Sequence, residues 1–164
     1  MVENINFELT KAATAIELKS NQTSEIQDLE KIMNAEVSAA AAYTQVLKKF
    51  SNYEHKNDLV SILKDHEFAV DFWKSQLRSI AASIEESSGP WTAAVDTIAK
   101  TEKLYGDSDT IKSLKEREEY ELKEYEEILE NNKVNFQSTA FIKNICLDQQ
   151  RKHLAILDGL LGQD

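Results

Sequence analysis

Apolar positions recur along this chain in alternating steps of three and four, the period of helices that each bury one face. Ile5, Leu9, Ala12 and Ile16 mark a short amphipathic helix over about residues 3–19. The polar stretch 20–24 reads as a linker, and Ser24 with Gln27 has the form of a capping box. A first long helix then runs to about Phe50 on the stripe Ile26, Leu29, Met33, Glu36, Ala40, Tyr43, Leu47. A second carries Leu59, Leu63, His66, Val70, Trp73, Leu77, Ile80 and Ile84 on one side. Ser88-Gly89-Pro90 breaks the chain, since proline belongs at the first position of a new helix rather than inside an old one. Trp91, Val95, Ile98 and Tyr105 define a shorter helix after it. Beyond Gly106, long helices are predicted over about Thr110–Asn131 and Thr139–Leu161, with Gly162 past the last. The pattern predicts an all-α, antiparallel four-helix bundle over residues 24–164, with a short helix inserted between its second and third helices. Residues 1–23 form an amphipathic appendage and its linker.

Two acidic residues fall on these apolar stripes. Glu36 stands two turns before Tyr43, and Glu118 stands two turns before Tyr125 on the stripe Ile111, Glu118, Leu122, Tyr125, Leu129. A carboxylate directed into a bundle is costly unless it is paired, protonated or bound to a cation. The other two helices carry polar clusters near their middles: Asp65, His66 and Glu67 in one, Asp148, Gln149, Gln150 and His153 in the other. The chain thus reads as two copies of one helical hairpin whose polar residues meet in a single layer. The remaining acidic residues of the third helix, Glu116, Glu119, Glu121, Glu124, Glu126, Glu127 and Glu130, read as a solvated face relieved by Lys115, Arg117 and Lys123.

Composition agrees with helices and narrows the function. Only one proline and four glycines occur in 164 residues. The net charge of −10 offers no basic stripe for a phosphate backbone and no attraction to an anionic bilayer, so neither nucleic acid nor membrane is an expected partner. Cys146 is the single cysteine, which excludes an internal disulfide and fits a cytoplasmic, reducing compartment. No nucleophilic triad, phosphate loop or dinucleotide fingerprint is present. Any chemistry would have to come through a metal.

The single-glutamate positions Glu36 and Glu118 carry a family resemblance, as does the stretch from Ser88-Gly89-Pro90-Trp91 through Asp107 and Glu118 to Tyr125-Glu126-Glu127-Ile128-Leu129. Over roughly residues 24–161 the chain resembles the ferritin-like superfamily. Within it, the chain is similar to a bacterial family of four-helix bundles with an extra helix between the two hairpins. The resemblance implies a mid-bundle layer in which two helices give one Glu each and two give Glu-x-x-His. It also implies a link to bacterial stress responses.

Carried onto this sequence, that pattern is incomplete. The second helix reads Glu67-Phe68-Ala69-Val70, without its histidine, and the fourth reads Gln150-Arg151-Lys152-His153, without its carboxylate. Glu36, Glu67, Glu118 and His153 remain as candidate metal ligands, suited by donor type to one iron, zinc or manganese ion. The expectation is a non-enzymatic bundle with a degenerate polar layer, acting through a protein partner or as a homodimer. The alternative is a metal-binding protein using those four residues; a dimetal oxidase or ferroxidase fits least.

Overall fold

The computed structural model describes residues 2–49, 54–83, 107–132 and 134–162, and every element among them is helical. Helix α1 spans Val2–Lys49, α2 Lys56–Ser83 and α3 Asp107–Asn131. The last helical run comprises α4 (Phe136–Phe141), a π-helical turn (Ile142–Cys146) and α5 (Leu147–Leu161) in direct succession. The expected inserted helix around Trp91, Val95, Ile98 and Tyr105 lies outside the described residues. No helix among the described residues is long and apolar enough to cross a membrane.

The polar stretch 20–24, expected as a linker, is helical, and α1 runs through it without a break. Ser, Asn, Gln and Thr each cost a helix interior only tenths of a kcal/mol. With no glycine or proline anywhere in Val2–Lys49, nothing forces a stop, and Ser24 is not a cap. The fourth helical run begins at Phe136 rather than near Thr139 because Asn135 caps it. The Asn135 side-chain oxygen accepts the Ser138 N–H at 2.9 Å, and the Asn135 N–H donates to Glu25 at 2.8 Å, which ties this corner to α1. At the end of α3, Asn132 takes a left-handed φ of 48° and donates its N–H to the Ile128 carbonyl.

Side-chain pairs give the helix directions. Glu36 meets Tyr125 and Tyr43 meets Glu118, so α1 and α3 are antiparallel. His66 with Glu118 and Trp73 with Tyr125 are both 52 residues apart, so α2 and α3 run parallel. The end of α2 and the start of α3 therefore lie at opposite ends of the molecule. α1 packs mainly on α2 and α3 mainly on α5, and the two pairs meet through α1 with α3 and α2 with α5.

Two apolar cores fill the interior. One gathers Leu29, Met33, Trp73, Leu77, Ile128, Phe141 and Ile142; the other gathers Val46, Leu59, Ile62, Ile111, Leu114, Leu157 and Leu160. Between them along the helices lie the buried polar residues Glu36, His66, Glu118, Glu121, Gln150 and His153. In the first core Phe141 stacks on Phe72, with ring centroids 3.7 Å apart, and meets Trp73 edge-on. Replacing Phe141 with Ala removes that keystone. We expect a loss of about 3–5 kcal/mol in urea unfolding with an unchanged denaturant slope.

Candidate metal centre

The repeated Glu-to-Tyr spacing is used reciprocally. Because α1 and α3 are antiparallel and share the same spacing, each glutamate faces the other helix's tyrosine. The Tyr43 hydroxyl donates to Glu118 Oε1 at 2.7 Å, and the Tyr125 hydroxyl donates to Glu36 Oε1. Trp73 Nε1 donates in turn to the Tyr125 oxygen at 3.3 Å.

His66 sits between the two glutamates, with 1% of its surface exposed. Its Nδ1 is 2.6 Å from Glu36 Oε2, and its Nε2 is 3.0 Å from Glu118 Oε1. Burial opposes charge on this ring, yet the hydrogen bonds to Glu118 and Glu36 overcome it and raise its pKa well above the usual histidine value. The imidazolium donates from both nitrogens. Glu118 also receives His153, whose Nδ1 lies 3.0 Å from Oε2, and His153 Nε2 lies 3.1 Å from Asp65 Oδ2. Burial would raise the Glu118 pKa, but the His153 and His66 hydrogen bonds outweigh it and hold the carboxyl at about 2. The result is one chain of alternating acid and base, Glu36–His66–Glu118–His153–Asp65, running from the core to the half-exposed Asp65.

The structure brings Glu36, Glu118 and His153 together and leaves Glu67 outside. Glu67 is exposed, and the neighbouring His66 occupies the layer in its place. The inward frame of α2 is thus Leu63-Lys64-Asp65-His66, matching Gln150-Arg151-Lys152-His153 on α5. Both helices supply the histidine and neither supplies the carboxylate. The signal was present in the stripe Leu59, Leu63, His66, Trp73, which already put His66 on the inner face.

Glu121 is the second correction. Expected on the solvated face, it is only 2% exposed. Its Oε2 accepts from Gln150 Nε2 at 3.0 Å and lies 3.7 Å from His66 Nδ1, while its Oε1 has no hydrogen-bond partner. Burial, reinforced by the charge on Glu36, pushes its pKa well above the usual carboxylate range. Its position three residues after Glu118 places it on the same face one turn along. That spacing was legible, but it was masked by the run of exposed glutamates around it.

Two sets of donors lie close enough to hold an ion: His66, Glu118 and His153, and Glu36, His66 and Glu121. Within each set the ligand atoms lie within 4.8 Å of one another. Both imidazoles of the first set have one nitrogen against Glu118, and their other nitrogens rest on Glu36 and Asp65. The two 3.0 Å contacts run to different oxygens of Glu118 and are hydrogen bonds, whose protons an ion here would replace. Cys146, nearby in the π turn, is buried with its thiol pKa pushed up by burial, and it belongs to neither donor set. Comparison of the chain with protein-family models, with curated proteins and with solved structures gives no match.

Two outcomes follow for the metal-free protein. Glu121→Gln keeps the shape and removes a carboxylate that burial disfavours, so it should stabilise the fold at neutral pH by about 1–3 kcal/mol in chemical denaturation. The lowered pKa of Glu118 means that its contribution is complete above its ordinary value of 4.5 and is lost as the pH falls from there towards about 2. The raised pKa of His66 gives the opposite sign: its contribution is complete below its ordinary value of 6.5 and is lost as the pH rises through the folded value. Thermal unfolding across this range should show both losses, and His66→Gln should remove the alkaline one.

Proposed function

We propose that the protein is a ferritin-like four-helix bundle that binds a single divalent transition metal at His66, Glu118 and His153. The observation that carries this reading is the orientation of the two histidines. Each turns one nitrogen to the same carboxylate and has its other nitrogen held by a second carboxylate. Outer carboxylates that fix ring orientation in this way are the usual companions of metal-ligating histidines. Two imidazoles and one carboxylate suit zinc, iron or manganese and leave further positions for solvent. Such an ion would supply Lewis acidity, and for iron or manganese redox chemistry. The protein's part is to hold the ligands on three helices, α2, α3 and α5, and to wall them off with apolar layers on either side. Parallel α2 and α3, with ends at opposite poles, support the single long crossover of ferritin-like bundles. A π turn directly ahead of the layer is a feature often found at functional sites.

A second reading keeps the layer as a hydrogen-bonded network that only sets helix register. It is favoured by the reciprocal tyrosine bonds, which satisfy Glu36 and Glu118 without a cation. Elemental analysis of untagged protein, incubated with iron, zinc or manganese and then desalted, separates the two. The metal-centre reading expects about one equivalent, lost in His153→Ala and Glu118→Gln, and retained in Glu67→Ala. Glu36→Gln and Asp65→Asn should weaken binding by about 10- to 100-fold through the outer carboxylates. Less than a tenth of an equivalent in the unaltered protein would leave the register network as the function of the layer.

A further inference from the structure

The buried centre needs a way in, and the structure offers one that is separate from its ligands. A cavity of about 10 Å³ lies between α1 and α3, lined by Ile32, Ala35, Glu36, Glu121, Glu124 and Tyr125. That is room for about one water or one small cation. Glu36 and Glu121 are both 2% exposed, and the unpartnered oxygen in this lining is Glu121 Oε1. Glu124 is half-buried, with a side chain 15% exposed, and it is ion-paired with the exposed Lys31 of α1. The Tyr120 phenol also rests against Glu124. Three carboxylates therefore follow one another from the surface to the layer. The last two share His66 with the proposed centre: Nδ1 is 2.6 Å from Glu36 Oε2 and 3.7 Å from Glu121 Oε2.

The opposite side of the layer is arranged differently. Asp65 is engaged by His153 there, so its carboxylate is committed to orienting a ligand. Between α1 and α3 one buried carboxylate oxygen, Glu121 Oε1, is free, and the outermost carboxylate is neutralised by the ammonium of the solvent-exposed Lys31. The Lys31 ammonium lies on the solvent side of this pair, where water can replace its contact with Glu124. While closed, it places a positive charge where a cation would approach.

We propose that divalent cations reach the centre between α1 and α3, docking first on Glu124 and Glu121, and that Lys31 is the electrostatic latch over this route. The proposal rests on the metal-centre reading and adds the path and its control. Lys31 touches none of the proposed ligands, so it acts on the rate of loading and not on the affinity of the loaded state.

Stopped-flow absorption with cobalt(II) as the probe tests this, because ligand-field bands report arrival at the nitrogen ligands. Lys31→Met should load about 3- to 10-fold faster than the unaltered protein, with the same final spectrum and the same Kd. Glu124→Gln should load more slowly by a similar factor. Lys123→Met, which removes an exposed lysine paired with Glu127 on the same helix α3, controls for net charge and should leave the rate within twofold. An unchanged rate in Lys31→Met, or an equal acceleration in Lys123→Met, overturns the latch. Unchanged loading in Glu124→Gln overturns the route between α1 and α3. Complete absence of cobalt bands in the unaltered protein overturns the metal centre itself, and the route with it.

Discussion

A single imidazole held between two buried carboxylates organises this molecule. His66 bonds Glu36 of α1 through one nitrogen and Glu118 of α3 through the other, so one side chain of α2 fixes three helices at one height. Its removal would leave two carboxylates facing each other in a space walled by Leu59, Ile62, Met33 and Trp73. Each would carry an uncompensated desolvation cost of several kcal/mol. Tyrosine hydroxyls from the opposing helices share the load, and their reciprocal pairing locks α1 to α3 in one register. A one-turn slip would move each glutamate off its tyrosine and off His66 together. Register and electrostatics are here the same constraint.

A buried network of this kind is in general weak evidence for stability, since an apolar layer of equal volume often serves a fold at least as well. The surrounding cores show that this chain can build such layers: Phe72, Phe141 and Trp73 pack closely immediately alongside. The polar layer also contains a member that packing alone does not explain. Glu121 is held by Gln150 through one oxygen and by nothing through the other. A network selected only for register would satisfy or discard that atom. A carboxylate oxygen left open next to an imidazole, beside a cavity the size of one ion, is what the proposed cation-handling role would use.

Much of the fold could be read from spacing alone. The helix periods, the ends of α1 near Lys49 and of α3 near Asn131, and the inward positions of Glu36, Glu118 and His153 follow from where apolar residues recur. What could not be read came from two sources. One is phase. On α2 the inward face at mid-helix passes between His66 and Ala69–Val70, so assigning the ligand to Glu67 required only one residue of error, about 100° of rotation. The other is context. Glu121 and Glu124 sit in a run of glutamates, most of which are exposed, and only the approach of α1 distinguishes the two that turn inward. The polar stretch 20–24 was misread for a related reason. Its residues favour caps and turns, but that preference is a few tenths of a kcal/mol and yields where the helix can simply continue.

The two departures from a Glu-x-x-His pattern can now be placed together. In one tier, three residues before each histidine, neither helix has a carboxylate: Leu63 stands there on α2 and Gln150 on α5. Leu63 joins the apolar core beside it, so on that side the tier has been closed with packing. Gln150 stays buried and directs its amide N–H to Glu121, which stands one turn beyond Glu118 on α3. The carboxylate beside Gln150 in this tier therefore comes from α3. It stands at a position that shares His66 with Glu36 rather than pairing with His153. The layer is thus asymmetric, with a nitrogen-rich side around Glu118 and an oxygen-rich side around Glu36. For the proposed metal centre, that asymmetry would separate the side that holds the ion from the side that first receives it.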